Sequence, residues 1–239
     1  MHDDDTTLAP ARPPDGPDLT DSLLDHIRER EFPCVGAKSA LARGSLRVEP
    51  ARSITSAWDD LLIHDILLKW SWDYADDDAE DGKGLRSLAV VFGGPDDLTE
   101  EQFEAAMWER LQSLAAKDEW RGQVLDPKVS ADPADPHFSL SFGGQGYFVV
   151  GMHPAASRAA RRTPFPTLVF NLHDQFETLR EQNRYARMKE QILKRDVKLD
   201  GSLNPMLSQH GDMSEARQYS GRQVGDDWRC PFSDPRAPS

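Results

Sequence analysis

The order of apolar and polar positions divides the chain into segments of different period. After Asp18, residues Leu19, Leu23, Leu24 and Ile27 recur at helical spacing, and the helix they predict stops before Phe32-Pro33, since proline disfavours a helical residue ahead of it. A second helix is predicted from Ser53 to Trp70, with Ile54, Trp58, Leu61, Leu62 and Ile66 along one side. The unbroken apolar run from Ser87 to Phe92 has the profile of a buried strand and closes at Gly93-Gly94-Pro95. Thr99, with Gln102 three residues on, marks the start of a helix through Ala116 whose inner stripe is Phe103, Met107, Leu111 and Leu114.

The second half is richer in strands. Phe138, Leu140 and Phe142 alternate with serines, GGQG (143–146) supplies a turn, and YFVVG (147–151) returns, which predicts a hairpin. TLVFNL (167–172) predicts a further strand that runs into one long helix from Leu172 to Lys194, capped by Asn171 with Asp174 three residues later. Beyond Val197 the chain reads as loop. This order predicts an α+β fold, a mostly antiparallel sheet flanked by helices with a loop-rich C-terminal region. Residues 1–20 are rich in Asp and Pro and have little to bury, so they read as a disordered arm, which leaves residues 21–239 as a single domain. The acidic run DYADDDAED (73–81) reads as a solvated loop.

Composition narrows the classes. Asp and Glu number 41 against 28 Lys and Arg, a net charge of −13, which argues against nucleic acid or an anionic membrane as partner. No apolar run approaches the length of a membrane span, and the acidic start lacks the apolar core of a secretory signal. With two cysteines the chain is no disulfide scaffold, and a reducing cytoplasm is the expected setting. Neither glycine-rich turn has the spacing of a nucleotide-binding loop, and neither a zinc-finger spacing nor a nucleophile elbow is present.

Charge is unevenly placed. Residues 151–198 hold ten Lys or Arg against five Asp or Glu. Within them, Arg158, Arg161 and Arg162 of SRAARR follow a predicted strand end, where guanidinium forks suit phosphate or carboxylates, or a solvated helix start. Cys34, in FPCVGAKSALA (32–42), lies just ahead of a predicted helix start, where backbone N–H groups and the positive dipole end favour thiolate. That position suits a nucleophile or a metal ligand, and equally a small buried hydrophobe. His153 and His173 both fall at strand ends near the basic cluster, as functional or structural histidines.

Six strings taken together resemble one family: FPCVGAKSAL (32–41), FSLSFGGQGYFVVGMHPAASRAARR (138–162), LVFNLHDQFETLR (168–180), GSLNPM (201–206), SEARQYSGR (214–222) and WRCPF (228–232). The chain resembles the YqcI/YcgG family from about Glu31 to Phe232. Characterised relatives include haem-dependent N-oxygenases of guanidino or amine nitrogens, so the resemblance implies haem b, dioxygen as co-substrate, a small arginine-like substrate and an electron-donor reductase or small reductant. A non-catalytic haem carrier or sensor is the alternative, and a homodimer is allowed for.

A haem needs an axial ligand, an apolar slot and cations for its propionates. Cys34 is the first candidate for the iron, its Cys-x-Gly resembling the thiolate loops of haem monooxygenases; His173 is the second and His153 the third. Arg158, Arg161 and Arg162 are the expected propionate partners. Trp108, Phe138, Phe142, Phe148 and Phe170 are possible slot walls or plain core, and Glu177 and Glu215 are candidates for orienting a cationic substrate. Asn204, Arg217, Gln218 and Tyr219 would line a pocket or tie down the tail.

Overall fold

The computed structural model describes residues 18–75, 85–202 and 214–237. Most of the arm, residues 76–81 of the acidic run, and Asn204 with most of GSLNPM lie outside them. Asp18 caps the first helix, α1 (Leu19–Arg28), by accepting from the Thr20 and Asp21 N–H groups. Next come α2 (Val35–Arg43), β1 (Leu46–Ala51), α3 (Asp60–Ala75), β2 (Ser87–Phe92) and α4 (Glu100–Trp120). The second half holds β3 (Leu140–Phe142), β4 (Gln145–Met152), β5 (Thr167–Leu172), α5 (His173–Glu181) and α6 (Tyr185–Asp200), then a 3-10 turn at Glu215–Gln218. The five strands form one sheet in the order β1-β2-β5-β4-β3; only the β1–β2 pair is parallel. This is the α+β class that the periodicity predicts.

Side-chain alternation gives the sheet two unlike faces. On one, Leu88, Val90 and Phe92 of β2, Leu168, Phe170 and Leu172 of β5, and Tyr147 and Val149 of β4 join α3, α4 and Tyr219 in the main core. The capping box at Thr99–Gln102 starts α4 as predicted, with Phe103, Met107, Leu111 and Leu114 all inside. On the other face, Ala89, Val91, Val150, Val169 and Met152 meet α1 and α2 in a smaller cluster. The residues there are shorter, and that difference leaves room for a cavity.

Three expectations need correction. The helix predicted from Ser53 begins at Asp60, and of its predicted face Trp58, Leu61 and Leu62 are exposed while Ile54, ahead of the helix, is buried and Ile66 packs on the main core. The buried face of α3 is Asp60, Ile63, His64, Leu67, Leu68, Ser71 and Tyr74. Its polar members disguise it, and each has a partner: Asp60 with Arg110, His64 Nε2 with Asp118 at 2.7 Å, and Ser71 Oγ with Tyr147 and the Phe142 carbonyl. Asn171 caps nothing; its side chain accepts from Ser87 Oγ at 2.7 Å, and the residue at the cap position of α5 is Leu172. The long helix is also two helices, broken at Asn183, which adopts a left-handed φ of 56°. Asparagine tolerates that conformation better than most residues.

The C-terminal region is loop-rich yet well held. Tyr219 is fully buried, stacks on Trp108 with ring centroids 5.6 Å apart, and accepts the Gly151 N–H at 2.7 Å through its carbonyl. Gly151 lies beyond the reach of short β3, so the tail satisfies the edge of β4 there. Arg236 clasps the chain end to Asp118, Asp234 and the Ser141 carbonyl.

Candidate functional site

The small-residue face of the sheet is the floor of a cavity of about 330 Å³. Ser87 and Ala89, Val169 and Asn171, and Phe148 and Val150 form that floor. One wall comes from Leu23 and Ile27 of α1 and from Phe32, Cys34 and Ala37 at the start of α2. The opposite cover is α6, whose Tyr185, Met188, Lys189, Ile192, Leu193 and Asp196 all face inward. These positions recur three, four, seven, eight and eleven residues on, the spacing of one helical face.

Cys34 is the N-cap of α2, and its Sγ accepts the Ala37 N–H at 3.4 Å. A Cβ placed on Gly36 would sit 3.7 Å from this sulfur, 3.9 Å from Met188 Sδ and 3.3 Å from Leu85, so glycine there lets α2 and α6 close around the thiol. The expected thiolate preference is corrected. Burial pushes the Cys34 thiol up, and this outweighs the pull of the Ala37 and Gly36 N–H groups and of Arg161. The free side chain is therefore a neutral thiol that an electropositive centre could deprotonate.

Arg161 lies behind the cavity with both terminal nitrogens spent on backbone. It donates to the carbonyls of Gly151 at 2.9 Å, Gln218 at 3.0 Å and Tyr219 at 3.3 Å, which pins the 215–218 turn to the sheet. Burial pulls its guanidinium down to about 10, against the attraction of Cys34 and Asp196. Arg158 donates to Asp196 at 2.5 Å and lies 3.4 Å from Asp200, fastening the C-terminal end of α6. Asp196 is held above the usual carboxylate range by burial, against its pairing with Arg158, and nearby Asp200 adds to the rise.

His173 opens α5 and reaches the same cavity. Its Nδ1 lies 3.2 Å from Ser139 Oγ and its Nε2 lies 3.4 Å from Glu177. Gly146 permits this placement, since a Cβ there would come within 3.2 Å of His173 Cβ. Glu215 also lines the cavity.

Cys34, His173, Arg158, Arg161 and Glu215 are thus brought together, although Cys34 and Glu215 stand far apart in sequence. The other predicted residues lie elsewhere. His153 is fully buried with its ring stacked on Phe103 at 4.3 Å, outside the cavity wall. Arg162 donates to the Ala156 and Ser157 carbonyls and does not reach the cavity. Glu177 is partly exposed on α5, paired with Arg180 and His173. Of the predicted slot aromatics only Phe148 faces the cavity; Trp108, Phe138, Phe142 and Phe170 fill the main core. Gln218 lines the cavity.

The residues missed from sequence are those of α6 and its neighbour Arg180. Their signal was the inward period from Tyr185 to Asp196, obscured by extending one helix through Asn183.

The cavity lining includes a side chain, Cys34, that could ligate a haem iron. Among the described residues no group of three or more His, Cys, Asp or Glu gathers to hold a metal. In this apolar cavity the Cys34 thiol would hold the iron of a haem, with Arg180 and Lys189 on the walls. For the propionates, Arg158 and Arg161 are already engaged with protein carboxylates and carbonyls. Arg180 also lines the wall but pairs with Glu177 and lies over the Tyr185 ring, so Lys189 is the lining cation without an ion pair among the described residues.

Fold and site thus define an α+β domain with an apolar, thiol-bearing cavity between its sheet and helices. The YqcI/YcgG family model matches residues 23–233, and the chain belongs to that family. No curated protein and no solved structure matches the chain. Among the described residues, no helix is long and apolar enough to cross a membrane.

Proposed function

We propose that this chain is a haem-dependent N-oxygenase that hydroxylates a guanidino or amine nitrogen of a small arginine-like substrate. Supporting the reading are the six family strings and one observation above all: the Cys34 thiol, at a helix start, faces an apolar cavity that also gathers His173 and Glu215. Cys34 would hold the iron, and a bound haem would supply the oxygen-activating chemistry that no side chain here provides. Ile27, Phe148, Val150, Val169 and Ile192 keep water from the reacting volume. Glu215 accepts hydrogen bonds from a cationic substrate, and His173, oriented by Ser139 and Glu177, stands where it can pass a proton.

The reaction places one atom of dioxygen on nitrogen and releases the other as water, consuming two electrons and two protons. The test is incubation of haem-loaded protein with arginine and a panel of amines under dioxygen with a chemical reductant. Mass analysis of a product carrying one added oxygen supports the reading. Uncoupled reductant consumption without any such product across the panel rejects it.

A further inference from the structure

The outer face of α6 is as ordered as its inner one. Arg184 at the cap, then Arg187, Gln191, Lys194, Arg195 and Lys198 are all exposed. At about 100° per residue these positions share an arc of roughly 100°, and at 1.5 Å per residue they run along about 21 Å. Five of the six are cations, on a protein of net charge −13. Several other exposed cations have an acid beside them, as Arg28 has Asp25, Lys69 has Asp73 and Lys128 has Asp174, and those without one, such as Arg43, stand singly rather than in a row. Among the described residues, Lys194 is the one cation of this stripe that has such an acid, Glu190. Arg187, Arg195 and Lys198 make no ion pair among the described residues.

We propose that this stripe is the docking face for an acidic one-electron carrier protein. Unpaired cations aligned on a rigid helix complement an acidic surface and steer its approach. Nucleic acid is disfavoured, because the stripe is short, the rest of the protein repels phosphate, and the one aromatic of α6, Tyr185, is turned inward. An anionic membrane is disfavoured because the apolar side of α6 is turned into the cavity.

The choice of an electron carrier rests on the proposed function, which needs electrons from outside. It also rests on position: α6 packs on α2, with Met188 next to the glycine that adjoins Cys34. The stripe is therefore about one helix diameter from the thiol. On docking, the carrier's reduced cofactor would lose one electron to a haem held beside Cys34, twice per turnover.

Flavodoxin, a small acidic carrier, is the probe. Its binding to the full chain is measured by titration calorimetry at about 20 mM and about 300 mM salt, with and without R187E/R195E/K198E. Binding is expected at low salt and to weaken about tenfold or more both with salt and in the triple variant. R187Q/R195Q/K198Q, checked by circular dichroism, serves should the reversed variant misfold, and R28E/K69E should bind like wild type. No binding at low salt, equal binding by the triple variants, or binding of heparin or anionic vesicles in place of flavodoxin overturns the proposal. A parallel test reduces the haem with dithionite. A protein that takes up no haem yet binds flavodoxin through the stripe overturns the proposed function and leaves the docking face standing. Normal dithionite reduction with no flavodoxin binding does the reverse.

Discussion

Gly151→Ala tests the joint between the sheet and the tail that carries Glu215 and Gln218. A Cβ at this position would lie 2.9 Å from Phe103 Cε1, 3.0 Å from Met107 Sδ and 3.0 Å from the Tyr219 carbonyl oxygen. None of the three can easily retreat. Phe103 is stacked against His153, Met107 is fully buried, and the carbonyl is held by the Gly151 N–H and by Arg161. Overpacking of this kind costs about 2–3 kcal/mol. In a domain of this size each kcal/mol shifts Tm by roughly 2–4 °C, so a fall of about 4–12 °C is expected. Scanning calorimetry on wild type and variant measures it. Gly151 has no left-handed φ, so the penalty comes from contact alone. A variant melting within about 1 °C of wild type would refute the close approach of tail and strand.

Other perturbations probe separate parts of the account. Arg158→Ala leaves the carboxylates of Asp196 and Asp200 buried without their guanidinium, which should cost about 3 kcal/mol and raise hydrogen exchange across 185–200 before the sheet opens. Thr99→Ala removes one half of the capping box of α4 and should lower stability by about 1 kcal/mol, read from the denaturant midpoint with the slope unchanged. Burial holds the His153 imidazole below its ordinary 6.5, so the folded state resists a proton that the unfolded chain accepts. That contribution to stability is complete above pH 6.5 and is lost as pH falls below it. His153→Gln should therefore show a flatter dependence of Tm on pH from about 7 to 5, and parallel curves would contradict this origin.

Much of the architecture is legible in the sequence because its signals are local. The box at Thr99 and Gln102, the alternation from Phe138 to Phe142, and the apolar runs of β2 and β5 each sit within a few residues. β1, LRVEPA, shows no such signal, since only its last residue is fully buried. The inner face of α3 is hidden in the pattern because Asp60, His64 and Ser71 are buried polar groups whose partners come from α4, β3 and β4. Pattern alone cannot reveal such pairs.

The site divides in the same way. Cys34, His173 and Arg161 stood out by residue type and place. The commitment of Arg158 to Asp196, and of Arg161 to three carbonyls, emerges only when the 3-10 turn at Ala159–Arg161, α6 and the tail are folded together. The cover supplied by α6 was hidden by one asparagine that turns the chain.

The central claim is that the cavity beside Cys34 takes a haem ligated by its thiolate. An absorption spectrum of the protein loaded with haem, reduced and exposed to carbon monoxide, tests it most directly. The account predicts a Soret band, a strongly red-shifted reduced carbonyl band, and loss of that shift in Cys34→Ala. No Soret band after haem addition, or a carbonyl band at the ordinary position that is unchanged in Cys34→Ala, would contradict it.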